Sequence, residues 1–277
     1  MATRPRRNRV VIKYILLIIP IILMVTYIYP FLHLALISFG ANYNKVPPEF
    51  IPSVPTLRGY LELFAHPLLS RWVLNSVIFA VGTTFGSIAL AILAGYALSR
   101  IQFPGRTIVF WYSMLGIMIP GIMLYIPLYI LMLRAKLLNT YQGLIIPLLA
   151  SAYNVFLVKQ AFDALPRDFE EAAYIDGAGS FTIAFRIMMP LVKPVIVTAL
   201  LYNFVWNWNN FAWPLFVAPN SERYTLALGV WMSTWSYTVD FWKYASGAIL
   251  QAAVPIVLYV LALSYFLRGL KMAGLKK

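Results

Sequence analysis

The sequence predicts an all-α membrane protein: a polytopic bundle of six transmembrane helices with a short helical loop between the fourth and fifth. Three observations predict it. Of 277 residues, 61% belong to the apolar and aromatic set and only 11% are charged, against roughly 45–50% and about 25% in a soluble domain. Such a chain lacks the polar cover that one soluble core needs. That argues against a soluble globular enzyme, and the same apolarity excludes disorder. The apolar residues also gather in six runs near the roughly 20 residues that cross about 30 Å of hydrocarbon. Finally, the Lys and Arg between those runs are shared unevenly.

The first run, roughly Tyr14–Phe39, follows Arg4, Arg6, Arg7 and Arg9. A basic start before an apolar run also fits a signal peptide. No A-x-A-like site follows within reach, and Pro20 and Pro30 lie inside the run, so it reads as a retained span. The second run is Val73–Ser99, the third Thr107–Leu133 and the fourth Gly143–Phe162. The fifth is about Leu191–Val217 and the sixth Tyr244–Leu267. Pro120, Pro127, Pro147 and Pro255 fall within these runs, and each removes a backbone donor and can kink its helix. They fit a bundle with a pathway, and equally the ordinary frequency of proline in membrane helices. Trp72, Trp111 and Trp242 near span ends suit the membrane interfaces.

With the N-terminus inside, fifteen of the 22 Lys and Arg lie on the inner side and seven on the outer. That bias supports six spans with both termini in the cytoplasm. The net charge of +13 therefore marks contact with a lipid bilayer and not with nucleic acid. All nine Asp and Glu lie outside the runs or at their edges. An ion-coupled carrier usually needs an ionisable group within the membrane. His33 is the one candidate, and it reads as an interfacial or packed histidine. The chain has no Cys and only His33 and His66 as imidazoles, so disulfides, thiolate metal sites and a Cys nucleophile are excluded. No G-x-x-x-x-G-K-[ST] phosphate loop is present. Energy for uphill transport would have to enter through another polypeptide.

The stretch Leu165–Pro194 reads as two short helices and a bend. Pro166 suits a first turn. Asp168, Glu170 and Glu171 favour the positive end of a helix dipole. Ala172 and Ala173 form helix well and leave a thin surface for close approach. Asp176-Gly177 signals a stop, and Ser180 could cap a second helix. Phe181, Phe185 and Met189 share one helical face. The element is too short for a domain and too apolar to stand alone. It fits a docking knob for a cytoplasmic partner, or an amphipathic helix lying on the membrane. Three acids within four residues disfavour the second, because the inner leaflet is anionic.

This stretch resembles the loop E-A-A-x3-G-x9-I-x-L-P of permease subunits of bacterial binding-protein-dependent ABC importers. Here it is Glu171-Ala172-Ala173, Gly177, Ile187, Met188, Met189 and Pro190, with Met189 in place of the usual Leu. E-A-A-Y-I-D-G-A, F-R-I-M-M-P and N-T-Y-Q-G-L-I-I-P at Asn139–Pro147 look like the carbohydrate branch. So do Tyr224-Thr225-Leu226 with Gly229 and the tail F-L-R-G-L-K-M-A-G-L-K-K, which are similar to the smaller permease of the maltose importer. The resemblance implies one permease domain over 1–277 with a coupling loop at 163–190, in a bacterial inner membrane. It implies a second homologous permease, two cytoplasmic ATPase subunits and an extracytoplasmic solute-binding protein as partners. ATP and Mg would sit on the ATPases, with no cofactor and no catalytic or metal residue in this chain. Glu171, Ala172, Ala173, Asp176, Gly177, Phe181, Phe185 and Pro190 would couple the bundle to an ATPase cleft. ATPase closure would pull on them and switch the bundle between inward- and outward-facing states. Met272–Lys277 would either reach between the ATPases or serve as a positive anchor.

The fifth run holds N-F-V-W-N-W-N-N-F-A-W-P from Asn203. Asn203, Trp206, Asn207 and Asn210 can share one face at helical spacing. Rings stack on the C–H faces of sugars and amides bond hydroxyls, so these four could line a pathway. The same residues could equally be packing glue and an aromatic belt. The expected function is import of a sugar or oligosaccharide. Glycerol phosphate, an acidic oligosaccharide or a secondary transporter are the alternatives.

Overall fold

The computed structural model describes residues 6–40, 49–234 and 241–274, with side chains described over 16–40, 49–234 and 241–263. Arg4, Lys45, Asp240 and the side chains of the tail Met272–Lys277 lie outside the described residues. The helices run α1 Arg6–Ile37, α2 Arg58–Phe64, α3 Leu69–Arg100, α4 Arg106–Met118, α5 Tyr125–Arg134, α6 Tyr141–Ile145 and α7 Ala152–Asp163. There follow α8 Asp168–Ile175, α9 Ser180–Thr182, α10 Met189–Leu191, α11 Lys193–Trp208, α12 Ala212–Val217, α13 Leu226–Thr234 and α14 Phe241–Gly274. No strand occurs among the described residues.

Three stretches are single helices long and apolar enough to cross a membrane: Leu16–Ile37, Leu69–Arg100 and Phe241–Leu263. The third and fourth expected spans are instead broken, and the fifth is entered through a bend from the preceding loop. Arg106–Met118 and Gly121–Arg134 meet at 97°, Tyr141–Leu148 and Ala152–Asp163 at 47°, and Ser180–Leu191 and Lys193–Trp208 at 78°. Counting each bent pair as one span gives up to six. Pro120 stands at the first break, where Ile119 is extended, as the clash of proline with its predecessor favours. Pro147 lies in the 3-10 turn Ile146–Leu148 that ends the first half of the second pair. Pro20, Pro30 and Pro255 sit inside unbroken helices. Pro127 falls in the first turn of α5, where no intrahelical donor is needed.

Two compact units result. One comprises 1–66 and 230–250. Ile37, Trp242 and Ala245 form its small core, and Ser246 donates to the Trp242 carbonyl at 2.9 Å. Within it, partial burial and then the Lys243 charge hold the His66 imidazole below its ordinary value.

The other unit comprises 67–229 and 251–277, and α3 is its central post. Toward its C-terminal end, Ile88, Ala91 and Tyr96 pack with Val158 and Phe162 of α7 and with Ala173, Ile183, Met188, Val192, Ile196 and Ala199. Gly95 permits the α3–α7 approach: a Cβ there would lie 3.0 Å from the Lys159 backbone nitrogen. Toward the other end, Phe79, Leu144, Trp213 and Val217 pack together. Asn75 is a hub there. Its Nδ2 donates to the Glu222 and Tyr224 carbonyls at 2.9 and 2.8 Å, and its Oδ1 accepts from the Tyr141 hydroxyl at 2.7 Å. Ser76 Oγ accepts from the Leu226 amide at 2.7 Å. Side-chain bonds of this kind hold membrane helices together where burial between lipid-like surfaces gives little drive.

Candidate functional site

The loop between α7 and α11 is built from end signals. After α7 stops at Asp163, the Arg167 carbonyl accepts from the amides of Glu170 and Glu171 at 2.8 and 3.0 Å, opening α8. Pro166 therefore stands just before the helix, with Arg167 at the N-cap. The acids in the first turn match the helix dipole. At the other end the Ala178 amide donates to the Ala173 carbonyl at 2.9 Å and the Gly177 amide to that of Tyr174 at 3.0 Å. With Gly177 at φ +78°, this is a Schellman cap, whose left-handed residue favours glycine.

Gly179, not Ser180, caps the next helix. That helix widens into a π segment, Ile183–Met188. The wider turn changes the face read from the sequence: Ile183, Ala184 and Met188 point into the bundle core. Phe181 is 74% exposed, with its ring 4.4 Å from that of Phe185. Pro190, exposed, opens α10. Along α8, Glu170 and Ala173 are buried, whereas Glu171, Ala172, Asp176 and Gly177 are exposed. The helix thus has one face on the bundle and one face bare.

Sequence reasoning missed the buried side of this loop. Arg100, read only as one of the inner positive charges, lies 3.0 Å through Nε from Glu170 Oε1, with 6% and 11% of the two side chains exposed. Its Nη2 donates to the Phe162 carbonyl and, at 2.7 Å, to that of Leu165. The only hint in the sequence is an arginine directly at the end of an apolar run.

The second feature is a cavity of about 410 Å³. It lies where the breaks of the α4–α5 and α6–α7 pairs face α11: Ile119 and Gly121 border it from one, Leu148, Ala150 and Ser151 from the other. Asn203, Trp206, Asn207 and Asn210 all line it, joined by Tyr125, Tyr153, Asn154 and Tyr202. No charged residue lines it among the described residues. The rings form a ladder: Tyr153 to Tyr202 at 5.4 Å, then Tyr202 to Trp206, stacked at 6.2 Å. Asn207 donates to the Asn203 carbonyl and Oδ1 at 2.8 and 2.7 Å, which fixes its amide. Asn210 Oδ1 accepts from the Trp213 amide at 3.1 Å. The other residues of the run face elsewhere. Trp208 donates to the Gln251 carbonyl at 2.9 Å and Trp213 to that of Leu144 at 3.0 Å. The cavity can accept hydroxyl groups and apolar ring faces. Among the described residues its lining holds no carboxylate, imidazole or amine, and no group of metal-ligating side chains occurs.

Comparison with known proteins gives the family and the fold of the chain. Residues 87–271 match the family described as binding-protein-dependent transport system inner membrane component. The arabinooligosaccharides transport system permease protein AraQ of Halalkalibacterium halodurans is 31% identical over 254 residues, covering 90% of this chain and 91% of that protein. The sn-glycerol-3-phosphate transport system permease protein UgpE of Rhizobium meliloti is 30% identical over 281 residues, covering 96% and 97%. A solved bacterial ABC transporter involved in import of the acidic polysaccharide alginate has the same fold, with a TM-score of 0.80 at 20% identity over 96% of this chain and 99% of that one. The chain belongs to the family of inner membrane components of binding-protein-dependent transport systems, the permease subunits of ABC importers.

Proposed function

We propose that this chain forms half of the translocation pathway of an ATP-driven importer for a sugar or oligosaccharide, beside a second, related permease. Residues 1–277 act as one permease domain, and 163–190 as its coupling loop. That loop and both termini lie on the cytoplasmic side of a bacterial inner membrane. Two ATPase subunits bind ATP and Mg and perform hydrolysis, so the chain itself is no enzyme and holds no cofactor. An extracytoplasmic binding protein delivers the solute.

The observation that carries the coupling is the two-sided α8. Its inner face is anchored by Glu170 and Ala173, and its outer face presents Glu171, Ala172, Asp176 and Gly177. A bare acid beside bare small residues suits a cleft with a basic wall. Phe181, exposed beside Phe185, adds an apolar contact. For the solute, the ladder of rings and amides around the cavity suits an uncharged polyhydroxyl compound. The names of UgpE and of the alginate importer favour a second reading, an anionic solute. An anion in this cavity would meet no cation among the described residues, and burying an unpaired charge costs several kcal/mol, of the order seen for buried ions.

The test uses the importer assembled with its own partners in proteoliposomes. Uptake of radiolabelled neutral oligosaccharides is compared with that of glycerol phosphate and uronate oligomers. Neutral solute alone is expected to accumulate. Accumulation of only the anions would replace the sugar reading with the second one. A cysteine at Ala172 should cross-link to an ATPase subunit, and its failure to do so would remove the coupling reading.

A further inference from the structure

Arg100 and Ser99, consecutive at the end of α3, hold two other helix ends. Arg100 donates to the Phe162 carbonyl in the last turn of α7 and to the Leu165 carbonyl just beyond it, and pairs with Glu170 in the first turn of α8. Ser99 donates to Asp163 Oδ1 at 2.6 Å, and Lys159 donates to Asp163 Oδ2 at 2.5 Å. A cation at the C-terminus of α7 and a carboxylate at the N-terminus of α8 each match the local helix dipole. Arginine suits the position because its charge is spread over separate nitrogens: Nη2 bonds both carbonyls while Nε faces the carboxylate as an ion pair, not aligned as a hydrogen bond, whereas lysine carries its charge at one point.

Stability alone gives this pair little reason to exist. Two charges lose hydration when buried, and an apolar pair of similar volume is often as stable or more so. What the pair supplies is a fixed geometry among three helix ends. From there α7 runs to the cavity, which its first residues, Ala152, Tyr153 and Asn154, line. Asn154 Nδ2 also donates to Ser87 of α3 at 2.8 Å. A continuous set of buried contacts therefore leads from α8 to the cavity wall.

We propose that Arg100 and Glu170 are positioning residues, a strut that passes displacement of α8 to α3 and α7 and so to the cavity. The proposal rests on α8 being the contact with the ATPase. Without the strut, α8 still docks and ATP is still hydrolysed, but the motion is absorbed in the loop.

The complete importer in proteoliposomes tests this, with ATP hydrolysis and solute uptake measured on the same vesicles. The variants are E170Q, the apolar pair R100M/E170L, and R100K. Uptake per ATP should fall about fivefold or more in the first two, the lower end of usual coupling factors, while a cross-link from Ala172 to the ATPase persists. R100K keeps both charges and loses the fork, so its ratio should fall by less, though by more than about twofold on the same scale. A merely structural role would lower hydrolysis and uptake together, in step with the amount of complex, and leave their ratio unchanged. That result in assembled variants overturns the strut. Should neither charge-removing variant assemble, the R100K ratio decides, and a value equal to wild type overturns it. A missing Ala172 cross-link in the wild-type complex would instead defeat the coupling reading itself.

Discussion

Gly177 stands at φ +78° with nothing within 4 Å of where a Cβ would be. Substitution there meets no clash, so its effect isolates backbone strain. Gly177→Ala should destabilise the α8 cap by about 1–2 kcal/mol, the left-handed penalty for an L-residue. Amide exchange across α8 should then speed roughly tenfold, with Gly177→Asn milder because Asn tolerates that conformation. This glycine was legible in the sequence, since Asp-Gly after a helical run is a stop signal. The tryptophans of the fifth span were only partly legible. Spacing put Trp206 on the amide face, but nothing local separates it from Trp213. The structure leaves Trp206 64% exposed and buries Trp213 fully. Trp206→Ala should leave the folded protein intact and lower uptake about two- to thirteenfold at low solute, the equivalent of the roughly 0.5–1.5 kcal/mol that a stacked ring contributes. Trp213→Ala should cost about 3–5 kcal/mol of stability, seen as loss of folded protein in detergent melts.

At the scale of elements, α3 and α7 meet through small residues, and α3 meets the 221–226 segment through polar ones. Gly95→Leu would drive a side chain into the Lys159 backbone and Val158. Overpacking typically costs about 1–3 kcal/mol. The melting temperature of the solubilised protein should fall, whereas a leucine at exposed Phe85 on the same helix should leave it unchanged. Asn75→Ala strands two carbonyls and a tyrosine hydroxyl, at about 1–3 kcal/mol for each group left dry. The six apolar runs were legible because hydrocarbon thickness sets run length. The three breaks were not, because proline alone does not decide them: Pro120 marks a 97° bend, while Pro255 lies in an unbroken helix. A proline is compatible with either outcome, since neighbouring structure can receive the backbone groups it frees, and local sequence does not specify that neighbourhood. The same holds for the π segment, whose extra width seats Ile183, Ala184 and Met188 in a core that local spacing does not reveal. It holds again for the Arg100–Glu170 pair, whose partners are 70 positions apart in the sequence.

At the scale of the whole molecule, the placement of ionisable groups bears on the energy source. A carrier driven by protons needs a titratable group that the pathway alternately exposes. The described carboxylates lie at helix ends, on α2 or in connecting segments: Glu49, Glu62, Asp163, Asp168, Glu170, Glu171, Asp176 and Glu222. None lines the cavity. His33 lies in a cluster of aromatic rings, 4.9 Å from Phe50 and 6.0 Å from Tyr29, which are themselves 5.5 Å apart. Among the described residues no carboxylate faces the cavity for a proton gradient to act on, which accords with the proposed drive through the α8 contact. In proteoliposomes holding the complete importer, a protonophore at constant ATP should leave the initial uptake rate unchanged. Removing ATP while an imposed potential is maintained should abolish it. Uptake that instead followed the gradient and ignored ATP would mean that α8 is not the point where energy enters, and that one of the groups outside the described residues carries the coupling ion.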